Sequence, residues 1–202
     1  MLKLKKIAIT GGLASGKSTV CQFLQELGAY VVNADTIVHE LLKAQTDLGQ
    51  KVLHLLGPDI LQNGKINRQV IAKKVFQNEN LLRKLESILH PAVLEEISRR
   101  YEKASLANRY TSFVVEMPLL FEISAQVFYD VIVTVIADDT TAIDRFLAMG
   151  HTKQEYEERM SHQLSPMTKA QQAHYVLTNN GTFKDLRKQV EKLYNFIGVS
   201  LS

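Results

Sequence analysis

The stretch Ile9-Thr-Gly-Gly-Leu-Ala-Ser-Gly-Lys-Ser-Thr19, ITGGLASGKST, places three glycines and one lysine between two segments of different character. The run KKIAIT that leads into it is apolar and typical of a buried strand, and the residues from Val20 to Leu27 carry apolar side chains at helical spacing. The pattern Gly11-x-x-x-x-Gly16-Lys17-Ser18 is a complete phosphate-binding loop, and it lies between a strand and a helix, as such a loop requires. The alternative, a chance glycine-rich turn with an exposed lysine, explains neither flanking segment.

Each part of this loop has a physical role toward a nucleoside triphosphate. The glycines allow successive backbone N–H groups to point at phosphate oxygens, and the helix N-terminus adds a positive dipole. Lys17 supplies a positive charge to the outer phosphates, and the Ser18 hydroxyl is a ligand for Mg²⁺. We therefore predict ATP with Mg²⁺ as the cofactors. The predicted nucleotide-binding residues are Gly11, Gly12, Ala14, Ser15, Gly16, Lys17, Ser18 and Thr19.

Five short runs rich in Val and Ile predict strands, and several of them are apolar on both faces, as in a buried parallel sheet. Helical patterns alternate with these runs, so the fold class is α/β, a P-loop NTPase fold with a five-stranded parallel sheet flanked by helices. Two long intervals, 36–110 and 138–174, show helical spacing and no convincing strand, and a final amphipathic helix should end at Gly198. The predicted strands are Lys6–Thr10, Tyr30–Ala34, Ser112–Val115, Val131–Ala137 and Tyr175–Leu177.

Composition excludes several classes of protein. The 202 residues are 46% hydrophobic and 22% charged, which is typical of a globular chain, and no apolar run reaches the roughly 18 residues of a membrane helix. The net charge of +3 is spread among interspersed acids and bases, so it favours a small anionic ligand over nucleic acid. The only cysteine, Cys21, is interpreted as a small apolar residue on a helix. We expect a cytoplasmic protein and a monomer, a higher oligomer being left open.

Asp35 follows the second predicted strand. Ligands of open α/β sheets lie beyond the carboxyl ends of the strands, so its carboxylate is placed to accept a proton from an attacking hydroxyl. The alternative is that Asp35 caps the helix that begins with TIVHELL.

The chain as a whole resembles the dephospho-CoA kinases. ITGGLASGKST is similar to that family's opening, where a glycine often stands at the place of Ala14, and VVNAD is similar to a motif that usually has an aspartate in place of Asn33. The resemblance continues in order through most of the chain. The further motifs are Gly64-Lys-Ile-Asn-Arg68 with Val75-Phe76, His90-Pro-Ala-Val93, Pro118-Leu-Leu-Phe-Glu122 and Asn179-Asn-Gly181.

The resemblance implies transfer of phosphate from MgATP to the ribose 3′-hydroxyl of dephospho-CoA, giving CoA and ADP in the last step of coenzyme A synthesis. It implies one P-loop kinase domain, 1–202, with an acceptor-binding insertion at 36–110 and a lid at 138–174. Asp35 would be the base, Lys17 would hold the phosphates, and Arg68, His90 and Pro91 would shape the acceptor site.

Several of these residues also have simpler interpretations. His90 could end one helix and Pro91 begin the next, and Arg68 could lie on a solvated helix face. Glu116, after the apolar SFVV, could orient a metal-bound water or simply end a strand. The five histidines other than His90 lack metal-ligand spacing.

The lid sequence TTAIDRFLAMGHTKQEYEERM contains Arg145, which is predicted to reach the transferring phosphoryl group, and Arg159 as a second candidate. Many members of the family have a further arginine where this chain has Met149. Two other functions stay open: a different P-loop nucleoside or nucleotide kinase, and a nucleotide-dependent switch. The chain has no N-K-x-D motif of the kind that reads guanine, and a lid arginine suits transfer better than sensing.

Overall fold

The structure is a computed structural model that describes residues 4–76 and 78–199. In it the predicted strands pair into one sheet. The sheet is five-stranded and parallel, which confirms the predicted fold class. Each strand end differs by at most one residue from its prediction. The strands are β1 (Lys6–Gly11), β2 (Tyr30–Asn33), β3 (Leu61–Gln62), β4 (Lys65–Ile66), β5 (Phe113–Glu116), β6 (Val131–Ile136) and β7 (Tyr175–Thr178).

The strand that leads into the phosphate-binding loop lies at the centre of the sheet, whose order is β2-β5-β1-β6-β7. Ile7 of β1 is in register with Val114 on one side and Val131 on the other. Because the central strand is covered on both faces, its isoleucines are fully buried, and this explains the apolar runs that predicted a parallel sheet.

Helices follow most strands, as the alternating pattern predicts. Short 3₁₀ turns occur at Pro58–Ile60 and Ala125–Phe128. The last helix extends one residue beyond its predicted end at Gly198. The helices are α1 (Lys17–Glu26), α2 (Ala34–Leu41), α3 (Asp47–Leu56), α4 (Arg68–Phe76), α5 (Glu79–Leu106), α6 (Asp139–Ala148), α7 (Lys153–Ser161), α8 (Pro166–Gln172) and α9 (Phe183–Val199).

The described residues form two compact units, which we call the sheet unit (4–32 and 104–199) and the helical unit (33–103). The core of the sheet unit joins β1 and β6 to α1 and α9, with Leu24 and Leu193 fully buried. The helical unit has a core of its own around Val52 and Ile60. Among the described residues, none of the helices combines the length and apolar character that crossing a bilayer requires.

The helical unit corrects two expectations. The interval 36–110 was expected to contain no strand, but β3 and β4 form a two-stranded hairpin. Its turn is Asn63-Gly64, both at positive φ, a dipeptide that favours tight hairpin turns. The strands were missed because two residues each are too short to show a period.

The second correction concerns His90 and Pro91. The possibility that a helix ends at His90 is wrong, because α5 runs through both residues without a break. A proline inside a helix removes one N–H donor, but one face of α5 is held by buried Val93, Ile97 and Tyr101 at helical spacing. The free energy gained by burying this face outweighs the cost of the hydrogen bond that Pro91 cannot donate.

Candidate active site

The phosphate-binding loop has the backbone that its glycines predict. Gly11 and Gly16 have φ of 140° and 98°, conformations that L side chains rarely adopt. A Cβ atom at Gly11 would lie 2.0 Å from the Val135 carbonyl oxygen, and one at Gly16 would lie 2.2 Å from Nδ2 of Asn179. Glycine is therefore required at both places by backbone angle and by space.

Ala14 also lies in the left-handed region, with φ of 53°. For an L residue this conformation costs about 1 kcal/mol relative to glycine. The strain explains why a glycine is common at this place in the family that the sequence resembles.

Asn179, just after β7, fastens the loop to the sheet. Its Nδ2 donates a hydrogen bond to the Ser15 carbonyl oxygen at 2.8 Å, and the side chain is buried. The neighbouring Asn180 accepts from the Asp138 backbone N–H at 2.8 Å, where α6 begins. The Asn179-Asn-Gly181 motif thus connects the phosphate-binding loop and the start of the predicted lid.

Two polar side chains at the start of α1 make contacts beside the loop: Lys17 is buried, and Ser18 is exposed. Lys17 Nζ donates to the Gly12 carbonyl oxygen at 2.7 Å, so its ammonium lies over the loop. The Ser18 hydroxyl donates to Glu116 Oε1 at 2.8 Å, at the end of β5. A hydroxyl and a carboxylate in this arrangement are the oxygen donors that Mg²⁺ prefers. Of the two interpretations of Glu116, this contact favours the one at a metal site.

Cys21, one turn after Ser18, is buried. Burial raises the pKa of its thiol well above the ordinary value, and the nearby Glu116 carboxylate raises it further. The thiol therefore stays protonated, which confirms its interpretation as a small apolar residue.

A cavity of about 670 Å³ in the sheet unit brings most of the predicted nucleotide-binding residues together. Its lining residues from the loop and the start of α1 are Ala14, Gly16, Lys17, Ser18 and Thr19. Arg145 of α6 and Arg159 of α7 line it as well. Gly11, Gly12 and Ser15 belong to the same loop but are not among the described residues that line the cavity.

The two candidate lid arginines differ in their surroundings. Arg145 Nη1 is buried and has no hydrogen-bond partner among the described residues. Arg159 is exposed, and its guanidinium lies over the Phe146 ring at 5.3 Å from the centroid. Met149 also lines the cavity, and it is 65% exposed. Because a buried guanidinium N–H needs an acceptor, Arg145 is the better candidate for contact with an anionic ligand.

Asp35 lies in the first turn of α2 and is exposed. It is not the helix cap that was considered as an alternative. Asn33 is the cap, and its side-chain oxygen accepts from the Thr36 backbone N–H at 2.9 Å. Asn33 stands where the similar family usually has an aspartate, and either side chain can serve as a cap.

The other predicted acceptor residues are not brought to one place. Arg68 begins α4 and lines a cavity of about 840 Å³. Pro91, in the middle of α5, lines a different cavity of about 640 Å³, and His90 beside it is half-buried.

The match to known proteins decides the family. A model of the family described as "Dephospho-CoA kinase" matches residues 5–185. The chain belongs to the dephospho-CoA kinase family. The dephospho-CoA kinase of Protochlamydia amoebophila is 48% identical over 196 residues, which cover 96% of this chain and 97% of that one. The dephospho-CoA kinase of Chlamydia pneumoniae is 42% identical over 195 residues, with 96% of each chain covered.

Solved structures agree with this assignment at the level of the fold. A protein from Thermus thermophilus has a TM-score of 0.84 at 25% identity, with 96% of this chain and 98% of that chain covered. The dephospho-CoA kinase from Campylobacter jejuni has a TM-score of 0.61 at 21% identity, with 96% and 97% covered. The resemblance to dephospho-CoA kinases predicted from the sequence is confirmed, and with it an ATP-dependent kinase.

The structure shows one residue near this site that the sequence analysis missed. Lys169 of α8 is 0% exposed, and its Nζ donates to Glu122 Oε1 at 2.8 Å and to the Pro118 carbonyl oxygen at 2.6 Å. Glu122 also accepts from the Leu164 backbone N–H at 2.9 Å. The Pro118–Glu122 motif, in which the sequence analysis gives Glu122 no role, is thus fastened to α8 by a buried ion pair.

We expect Lys169→Met to lower the free energy of unfolding by about 3 kcal/mol, because it leaves the Glu122 carboxylate without its partner. Chemical denaturation followed by circular dichroism measures this change. Lys153→Met is the control, since Lys153 and Glu157 are both exposed and 3.7 Å apart, and exposed pairs contribute at most about 1 kcal/mol. The double variant Lys169→Met/Glu122→Leu should recover part of the loss; equal effects of Lys169→Met and Lys153→Met would contradict the role of the pair.

Proposed function

We propose that the protein phosphorylates the ribose 3′-hydroxyl of dephospho-CoA with MgATP, using the phosphate-binding loop and Arg145 for the phosphates and Asp35 for the acceptor. One observation carries the nucleotide half of this proposal. The loop residues line the same cavity as Arg145, whose buried Nη1 has no hydrogen-bond partner among the described residues. This is the arrangement that an in-line phosphoryl transfer needs, because negative charge on the transferring group must be neutralised from more than one side.

In this proposal the sheet unit supplies the groups that stabilise negative charge on the phosphates. Loop N–H groups and the α1 N-terminus face the phosphates, and Lys17 exchanges a neutral carbonyl partner for an anionic one, which is a stronger hydrogen bond. Ser18 and Glu116 supply oxygen donors for the metal. Magnesium, when bound, offsets the charge of the phosphate oxygens.

The helical unit supplies the proton acceptor. The N-cap of α2 is Asn33, so Asp35 is not the residue that caps this helix. It is assigned the role of taking the proton of the 3′-hydroxyl as the oxygen attacks. The acceptor roles of Arg68, His90 and Pro91 remain predictions, and among them Arg68 has support from its place on a cavity.

The direct test is release of ADP with and without dephospho-CoA, with mass spectrometry of the product. We expect release to depend on dephospho-CoA, and a panel of nucleosides and nucleotides to support far less. ADP release that is slow and independent of any acceptor would favour a switch. Preference for a nucleoside would favour a different kinase.

Lys17→Ala tests the phosphate site. We expect kcat to fall about 10²–10³-fold, the usual loss when one preorganised donor to a developing charge is removed. Steady-state kinetics measures it, and Lys188→Ala on the exposed face of α9 is the control for loss of one positive charge. A near wild-type kcat in Lys17→Ala would contradict the assignment of the loop to the catalytic site.

A further inference from the structure

A cavity in the helical unit carries an unbalanced positive charge. It measures about 840 Å³ and lies among the end of α2, the β3–β4 hairpin and the start of α4. Its basic residues are His39, Lys43, Lys65 and Arg68, and none of the described residues that line it is acidic.

Several acids of the helical unit are paired with bases outside this cavity. Asp59 is 2.6 Å from Lys74, and Glu96 pairs with Arg99 and Arg100. The hydrogen bond from Arg99 leads in lowering the pKa of Glu96 to about 2, so this carboxylate is committed to its arginines.

The basic side chains of the cavity have no such partners. The structure gives Lys43, Lys65 and Arg68 no carboxylate partner among the described residues. Like charges gathered on one wall repel one another, and an anion that binds between them removes this cost. The chemistry of the wall therefore selects an anionic ligand, and the arginine and lysines suit phosphate oxygens.

Helix α2 relates this cavity to Asp35. His39 follows Asp35 by four residues on α2, so the two lie on the same helix face, roughly 5–6 Å apart at Cβ. In dephospho-CoA the ribose that carries the reacting 3′-hydroxyl also carries the diphosphate, through its 5′-carbon. A ribose at Asp35 thus places a diphosphate about one helical turn away, at the basic wall.

We propose that this cavity binds the diphosphate of dephospho-CoA, with Lys43, Lys65 and Arg68 as its cationic contacts. The inference rests on the proposed function and adds to it which part of dephospho-CoA this cavity binds. The N-terminus of α4 contributes little, because the Asn67 side chain already accepts from the Gln69 and Val70 N–H groups at 2.8 and 3.3 Å. Side-chain charge is therefore the main source of affinity.

The test is a graded change of charge at Lys65, which is exposed, so we expect its replacement to leave the fold intact. We expect Lys65→Gln to raise KM for dephospho-CoA about tenfold, Lys65→Glu to raise it further, and Lys65→Arg to stay near wild type. KM for ATP should change less than about twofold in all three. Lys84→Glu, an exposed residue of α5 in the same unit and outside the cavity, is the matched control.

The outcomes separate this inference from the function on which it rests. Absence of dephospho-CoA-dependent ADP release in the wild type overturns the proposed function. With that activity present, an equal KM in Lys65→Glu and Lys84→Glu overturns the cavity assignment. Equal effects of Lys65→Gln and Lys65→Glu would show that the cavity holds an uncharged part of the acceptor, and would also overturn it.

Discussion

Asp35→Asn is expected to lower kcat about 10²–10⁴-fold, the contribution of a positioned general base, while KM for ATP stays nearly unchanged. The amide has the size and shape of the carboxylate but does not take up the proton of the acceptor hydroxyl. The fold should be kept, because the cap of α2 is Asn33 and its hydrogen bond to Thr36 is untouched.

Asn33→Ala provides the matched comparison on the same helix turn. It removes the cap and should cost about 1 kcal/mol of stability. Steady-state kinetics and thermal unfolding of both variants separate the two roles. If Asp35→Asn turned over at the wild-type rate and only melted earlier, its role would be structural and the base would have to be sought elsewhere.

Arg145→Ala is expected to lower kcat by up to about 10³-fold, at the lower end of what a phosphate-directed arginine contributes. Its Nη1 is buried without a partner among the described residues, so folding already includes the cost of desolvating that N–H group. An anionic oxygen that accepts from it in the transition state recovers this cost, and the alanine variant loses that contribution.

Arg145→Lys should restore only part of the rate, because an ammonium has no planar pair of donors. Arg159→Ala is the internal control: its guanidinium is exposed and lies over the Phe146 ring, so we expect a smaller loss. Single-turnover rates with saturating ATP measure both. A larger loss in Arg159→Ala than in Arg145→Ala would transfer the lid role to Arg159.

The sheet and the phosphate-binding loop could be predicted from sequence because each leaves a local signal. Strands such as β6 are continuous apolar runs, and the glycines of the loop stand where the backbone needs positive φ or close approach. The β3–β4 hairpin leaves only its Asn63-Gly64 turn. The continuity of α5 through Pro91 was not predictable locally, since it depends on which face of the helix is buried in the folded protein.

Parts of the candidate site depend on contacts between distant segments, which no single pattern reports. Lys169 lies in a polar helix sequence that predicts an exposed lysine, and only the tertiary contact with Glu122 buries it. The Asn179 contact with the loop has the same character. The family resemblance identified the Pro118–Glu122 and Asn179–Gly181 motifs, but it did not indicate which contacts hold them in place.

The strand at the centre of the sheet determines when the nucleotide site can form during synthesis of the chain. β1 pairs with β5 and β6, which are both made long after it, and the loop is fastened by Asn179, which is 164 residues from Ser15. At roughly 5–20 residues per second, about 8–33 s separate the synthesis of these two partners. Loop closure over such distances also slows folding. The nascent chain therefore carries a complete phosphate-binding sequence before the strands that shape it are made, and we expect ATP affinity only after Asn179 has been synthesised.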